Sequence, residues 1–347
     1  MRILVTGNMG YVGPGVVAQL RIAYPQAEII GLDSGYFGHC LTTAEMFPER
    51  KLSAQWYCDL RDLVSSQLDG VDAVVNLAAI SNDPMGKAYE QVTDEVNHLA
   101  GVRLAHIARD AGVNNFVFAS SCSVYGFAEG DARDETSELN PLTAYAHSKI
   151  DTENDLEPLA TDDFRVTCLR FPTACGMSDR LRLDLVLNDF VASAVATGTI
   201  TVLSDGSPWR PLIDTKDMAR AIEWGVSRST DAGGAFVSVN AGRSGWNYRV
   251  RDLAEAVQDQ MPHVDININT NAAPDNRSYR VDFSRYEALA PDHQPQVALD
   301  QSIAELREGL EAIGFADANF RDSNLIRLNV LAGLRSKGSL NDQLRWI

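Results

Sequence analysis

The stretch Thr6-Gly7-Asn8-Met9-Gly10-Tyr11-Val12-Gly13 follows directly on the apolar run at residues 3–5. Glycines at this spacing, between a short buried strand and a helix, leave few folds open. Gly7 permits a sharp turn, Gly10 lets the backbone approach a pair of phosphates, and Gly13 lets the helix pack closely on the strand. The free N–H groups at the helix start then face an anion. A lone glycine pattern also fits a plain turn. Its place after a strand and before a helix selects a dinucleotide diphosphate as ligand. Gly7, Met9, Gly10, Tyr11, Val12 and Gly13 are the candidate contacts.

The rest of the first half keeps the same rhythm. Apolar runs at 28–33, 73–77 and 116–120 read as further strands, and 13–22 and 92–111 read as helices, with Gly112 at a helix end. Continuous Val/Ile/Leu/Ala runs of this kind are strands buried on both faces. Alternating strands and helices predict an α/β chain, a Rossmann-type doubly wound parallel sheet. The second half is less regular. Strands are expected at 165–170 and 199–203, helices at 185–197, 217–227 and 250–260, and a polar loop at 267–275. No Gly/Ser-rich linker separates the halves, so a smaller C-terminal α/β substrate lobe is expected to pack on the first unit. The expected division is 1–175, 176–320 and a helical tail at 321–347. In that tail Leu325, Leu328, Leu331 and Leu334 recur at helical spacing, for packing on the lobe or for a partner contact.

Asp33 ends the second strand 20 residues after Gly13. An acid there accepts hydrogen bonds from the ribose hydroxyls of NAD and repels the extra phosphate of NADP. The alternative is a helix cap or a turn aspartate. Asp59 and Leu60 follow another short apolar stretch and are candidate adenine contacts. Tyr145 and Lys149 stand at i and i+4 and share one helix face. A phenol with pKa ~10 is a poor base at neutral pH. A neighbouring ammonium favours the phenolate. Ser121, in Ser120-Ser121-Cys122-Ser123-Val124-Tyr125-Gly126, is placed to hydrogen-bond the same reacting oxygen, whereas His147 lies off that face and points to solvent. The competing reading of the pair is a surface helix with Tyr145 half buried.

Composition narrows the function classes. The chain of 347 residues carries 30 basic and 47 acidic residues, a net charge of −17. That surface repels nucleic-acid backbones and anionic membranes. Five cysteines without a CxxC pair fit a reducing cytoplasm. The six histidines form no HxH or HExxH spacing, so no metal site is expected. No run of 18 apolar residues and no signal peptide is read from the sequence.

Together these residues resemble the extended short-chain dehydrogenase/reductase family, in its NAD-dependent nucleotide-sugar epimerase/dehydratase branch. The resemblance runs from the glycine turn to about residue 315. It implies Ser121, Tyr145 and Lys149 as the catalytic set. It implies Leu77, Ala78, Ala79, Asn97 and Pro172 as neighbours of NAD, with Lys149 on the nicotinamide ribose. Asp205-Gly206-Ser207-Pro208-Trp209-Arg210 and Asp275-Asn276-Arg277-Ser278-Tyr279 resemble the segments whose arginines grip a sugar-nucleotide diphosphate. Ser81, Cys122, Ser123, Thr173 and Arg182 complete the implied substrate residues, with Arg182 in an unusual Arg180-Leu181-Arg182-Leu183-Asp184 stretch. Two departures matter. The family's 4,6-dehydratases carry an Asp-Glu pair where this chain has Cys122 and Ser123, and the family often has Asn at the place of Thr173. Cys122 is also out of register with the catalytic cysteine of GDP-mannose 3,5-epimerase and reads as a small buried side chain.

The resemblance implies a cytoplasmic, homodimeric epimerase acting on a nucleotide sugar at C4 through a transient 4-keto sugar. The alternatives are a ketoreductase or dehydrogenase, an atypical dehydratase of deoxysugar synthesis, and a non-catalytic NAD-binding regulator.

Overall fold

Seven strands form the central sheet, and its residues alternate between two apolar layers. A computed structural model of the chain describes residues 1–43, 45–128, 130–272 and 278–347. The strands are β1 (Arg2–Thr6), β2 (Glu28–Asp33), β3 (Ala54–Tyr57), β4 (Ala73–Asn76), β5 (Asn115–Ser121), β6 (Arg165–Phe171), β7 (Thr173–Cys175), β8 (Thr199–Val202), β9 (Trp209–Asp214), β10 (Phe236–Asn240), β11 (Asn247–Arg249) and β12 (Asp265–Ile268). The large sheet runs β10-β6-β5-β4-β1-β2-β3, and its neighbouring pairs are parallel. The chain winds outward from β1 in one direction and from β4 in the other. The crevice at the carboxyl ends of β1 and β4 is therefore the switch point where such sheets bind ligands.

Period-2 burial explains why the runs read as continuous. Ile3, Val5, Ile29, Ala73, Val75 and Val117 face one core, shared with the helices Gly13–Ala23 and Thr215–Ser227. Leu4, Ile30, Val74, Phe116 and Phe118 face the other, closed by the helix Ala100–Asp110. A second lobe packs the helices Val186–Thr197, Val250–Gln260 and Leu299–Ala312 around Leu187, Phe190, Leu253, Ile303 and Leu306. It carries the small sheets β11-β9-β7 and β12-β8.

Two expectations are corrected. The helix expected at 92–111 is three pieces: Glu90–Thr93, a π-helical segment Asp94–Leu99, and Ala100–Asp110. The π segment turns the Asn97 side chain toward the Ile80 backbone, where it accepts from the Ile80 N–H at 2.7 Å and donates to the Ile80 carbonyl at 3.1 Å. Such local widening is frequent beside functional sites. The loop expected at 267–275 begins as a strand, since Asn267 and Ile268 pair with Thr201 and Val202. Asn-rich polarity hid an edge strand there.

The tail at 321–347 forms the helix Arg327–Ser336 and folds back on the first unit. Leu331, Leu340 and Leu344 are buried with Ile80, Met85, Tyr89 and Val92. No helix among the described residues is long and apolar enough to cross a membrane.

Candidate active site

The glycine turn is built as its spacing requires. Gly7 sits at φ +71°, and a Cβ there would lie 2.6 Å from the Ala78 nitrogen. A Cβ on Gly13 would lie 2.1 Å from the Asn8 carbonyl oxygen. Gly10 faces open space apart from the Gly7 carbonyl at 3.3 Å. No side chain caps the helix that starts at Gly13. Gly7, Gly10, Tyr11, Val12 and Gly13 line a cavity of about 850 Å³, near the upper end for small-molecule sites. The Tyr11 hydroxyl is turned to the second lobe, donating to the Gly176 carbonyl at 2.6 Å and accepting from Asn188 at 3.0 Å.

Asp33 lines the same cavity, with one carboxylate oxygen accepting the Met9 N–H at 2.9 Å and the other the Gly35 N–H at 2.7 Å. Burial pushes its pKa up against those two bonds. The Met9 side chain is buried beside a smaller neighbouring cavity, and its N–H fixes Asp33. Asp59 and Leu60 line the cavity farther along, beside Leu77, Ala78 and Ala79. The Asp59 carboxylate is gripped by Arg61 at 2.7 Å, so it is a fixed wall rather than a loose acceptor. Burial alone would raise its pKa, yet Arg61 holds it low. A glycine cradle closed to a Cβ at Gly7 and Gly13, with the Asp33 carboxylate held at the end of β2, fits a dinucleotide.

The reacting end is set by the helix Ala144–Leu156. Thr143 caps it, accepting the Ala146 N–H at 3.1 Å and donating to Asp83 at 2.7 Å. Lys149 is 3% exposed, donates to the Ala119 carbonyl at 2.7 Å and lies 5.4 Å from the Tyr145 ring centroid. Burial pushes Lys149 down to about 8, with Glu153 opposing. Burial likewise pushes the Tyr145 phenol up to about 12, against a hydrogen bond with Ser121. Asp83 adds to that rise and Arg182 opposes it. Ser121 ends β5 and accepts the Ser123 N–H at 3.1 Å.

The structure therefore gathers Ser121, Ser123, Tyr145, Lys149, Pro172 and Thr173 on one wall, with Ser81, Arg182 and Arg210 also on the cavity. The Ser123 hydroxyl is buried with no partner among the described residues. Arg182 is held at 2.7 Å by Asp184 and donates to Ser81 at 3.1 Å. Arg210 donates to the Trp209 carbonyl at 2.8 Å. Arg277 lies outside the described residues.

Two expected neighbours of the ligand stand behind the wall. Asn97 bonds the Ile80 backbone and donates to Ser148 at 3.1 Å, which clamps the Tyr145 helix. Cys122 is fully buried and its thiol lies 3.1 Å from the Arg170 carbonyl. Burial pushes that thiol well up, so it is no acid or base near neutral pH.

Sequence reasoning named Ser81 but missed Asn82, Asp83 and Pro84 beside it. Asn82 holds φ +135°, a backbone region costly for a side-chain residue. Its amide explains the tolerance, accepting the Met85 N–H at 2.9 Å and donating to Asp184 at 2.8 Å. Asp83 and Tyr279 line the cavity and both act electrostatically near Tyr145. Asn-Asp-Pro before a helix was a readable cap signal. Thr143→Ala removes both the cap and the Asp83 bond. It is expected to lower unfolding free energy by about 1–2 kcal/mol in urea titrations, and a loss below about 0.3 kcal/mol would discount the cap.

A family model for the NAD dependent epimerase/dehydratase family matches residues 3–242. YtcB, an uncharacterized UDP-glucose epimerase of Bacillus subtilis (strain 168), is 28% identical over 232 residues, 64% of this chain and 71% of that protein. A UDP-glucose 4-epimerase of Mycolicibacterium smegmatis is 28% identical over 319 residues, 89% of this chain and 98% of that protein. For two further curated relatives the match spans 66% and 44% of their own length. The solved dTDP-glucose 4,6-dehydratase DesIV from Streptomyces venezuelae, with NAD and TYD bound, has a TM-score of 0.73 at 28% identity. That likeness covers 90% of this chain and 98% of that one. A glycine cradle at the switch point, a Tyr145–Lys149 helix beside it and a family match over most of the length have one reading: the chain belongs to the NAD-dependent epimerase/dehydratase family, whose members are NAD-dependent enzymes.

Proposed function

We propose that the chain is a nucleotide-sugar epimerase acting at C4 through a transient 4-keto sugar. The observation that carries this over elimination lies at residues 122 and 123. Where the family's dehydratases place an acid and a base, Cys122 is buried with its thiol against the Arg170 carbonyl, and Ser123 offers only a hydroxyl. Tyr145 removes the C4 hydroxyl proton at its phenolic oxygen and later returns it. Ser121 holds the sugar O4 as it becomes a carbonyl oxygen. Lys149, charged, favours the phenolate and binds the nicotinamide ribose. NAD, when held by the glycine turn, would supply a reversible hydride acceptor for C4, so the cycle would involve no net redox. Arg210 and Arg277 hold the sugar-nucleotide diphosphate, since a guanidinium fork matches paired phosphate oxygens. In this reading residues 176–320 hold the sugar nucleotide, and the enzyme is a cytoplasmic homodimer. Free cysteines at all five positions support the compartment.

The test is to incubate the protein with UDP- and dTDP-hexoses in D2O and follow them by NMR and mass spectrometry. A C4 epimer with no deuterium on carbon supports the proposal. A product lighter by one water, with deuterium on its carbon skeleton, makes the chain a dehydratase. Consumption of added reduced cofactor makes it a reductase.

Lys149 also gives the pH dependence a sign. A lysine at about 8 is charged below that pH and neutral above it, two units or more earlier than in solvent. Affinity for NAD is expected to be flat between pH 6 and 8 and to fall above 8. Lys149→Gln should bind more weakly and show no such fall. Wild-type affinity unchanged through pH 9.5 would remove the ammonium from cofactor binding.

A further inference from the structure

Three arginines converge beside the cavity, and among the described residues two of them pair with a carboxylate. Arg180, with a fully buried side chain, pairs with Glu49 at 2.7 Å, and Arg182 pairs with Asp184 at 2.7 Å. Arg327 is 1% exposed and pairs with no carboxylate among the described residues. Its Nη2 donates to the carbonyls of Arg180 at 2.7 Å and Leu181 at 3.1 Å, and its Nη1 to Asn324 at 3.2 Å. Its guanidinium lies 5.0 Å from the Phe37 ring centroid, and the residue lines the cavity. A charge taken out of water without a counter-charge is destabilising unless a ligand provides one. The neighbouring arginines make this worse. Burial pulls Arg327 down to about 10, Cys40 and Asp184 oppose that, and Arg182 and Arg180 add to it.

The position says which part of a ligand would answer that charge. On one side stands Phe37, in the loop that follows Asp33 at the ribose end. On the other stand Ser81 and Arg182, toward Tyr145. The segment Arg327 bonds is tied to the glycine turn, because Ser178 donates to the Tyr11 carbonyl at 2.7 Å. A dinucleotide running from Asp33 to Tyr145 crosses this place with its diphosphate.

The geometry points to Arg327 as a cofactor-binding residue that grips the dinucleotide diphosphate from the side opposite the glycine turn. The residue lies outside the stretch 3–242 matched by the family model. Its helix is pinned by the residues after it. Leu344 is fully buried against the Ile80 cluster, Tyr36 donates to the Leu344 carbonyl, Trp346 donates to the Ser34 carbonyl at 2.6 Å, and Arg345 pairs with Asp62 at 2.6 Å. Residues 327–346 thus hold a guanidinium over the cavity from beyond the sheet. The inference rests on the dinucleotide reading of the cavity and not on epimerisation.

The experiment is equilibrium binding of ADP-ribose and of adenosine to cofactor-stripped wild type, Arg327→Gln and Arg327→Lys, with melting temperatures alongside. A charge-assisted bond of this kind predicts an ADP-ribose affinity about 10–100-fold weaker in Arg327→Gln, with adenosine affinity unchanged. Arg327→Lys should fall in between, because an ammonium keeps the charge but lacks the planar fork that spans the backbone carbonyls and a phosphate at once. Equal losses for the two probes, or a loss for nucleotide sugar alone, overturn the assignment. Should the Gln variant not fold, the Lys variant decides: an unchanged ratio of ADP-ribose to adenosine affinity overturns it. Binding needs no turnover, so a failed epimerase assay leaves this result readable.

Discussion

Tyr145→Phe is expected to lower kcat by about 10³-fold or more while NAD content and melting temperature stay near wild type. General acid–base catalysis by one positioned group is worth about 10²–10⁴-fold, and this group carries the only proton the proposed cycle moves. Phenylalanine keeps the half-buried ring on the same helix. It removes only the hydroxyl that meets Ser121. Ser121→Ala should cost less, about 10-fold, because the phenol remains. The check is initial-rate NMR on the hexose substrate together with mass spectrometry of cofactor released on denaturation. Turnover above a tenth of wild type with NAD still bound would take the phenol out of the chemistry. Loss of NAD together with turnover would instead make Tyr145 a cofactor anchor.

What could be read in advance follows from how locally each feature is encoded. The glycine turn needs backbone freedom within eight residues, and Asp33 needs only the end of the next strand. Tyr145 and Lys149 need one helical turn. Each is legible because neighbours in sequence create the geometry. The five inner strands of the sheet were legible for a similar reason, since strands buried on both faces are continuously apolar, whereas the outer strands β3 and β10 were not read. Failures occur where distant segments decide. Asn82 is tolerable at φ +135° because Asp184, 102 residues away, holds its amide. Arg327 faces the cavity because residues 340–346 dock on Ser34, Tyr36 and Asp62, and no spacing within the tail encodes that. Asn97 was recognisable as an identity, but its clamp on Ser148 depends on a π segment that a 3.6-residue period cannot reveal. β9 was missed because Pro211 interrupts its run, which is tolerable where its neighbour β11 is only three residues long.

Arg170→Met is expected to destabilise the protein by about 3–5 kcal/mol, because it leaves a buried carboxylate without its cation. Glu153 and Arg170 have side chains 5% and 8% exposed and meet at 2.6 Å. Burial alone would make Arg170 easier to deprotonate, but Glu153 holds it firmly charged. After the change Glu153 would retain only the hydroxyls of Ser120 and Ser238, the second at 2.8 Å. Tyr125 would lose its donor at 3.1 Å and keep Asn240 at 2.7 Å. A pair of this kind adds little stability over an apolar replacement of both partners, so Glu153→Met combined with Arg170→Met should return to within about 1–2 kcal/mol of wild type. The pair matters more for chemistry. Glu153 lies one helical turn beyond Lys149 and is the first influence opposing the burial that strips the lysine of its proton. The double variant should therefore refold well in urea titrations, yet lose NAD affinity at a lower pH than wild type does. A single Arg170→Met cost below about 1 kcal/mol would show that water or the neighbouring hydroxyls already compensate Glu153. A double variant with an unmoved pH profile would show that Lys149 takes its charge from elsewhere, and the ion pair would then be packing alone.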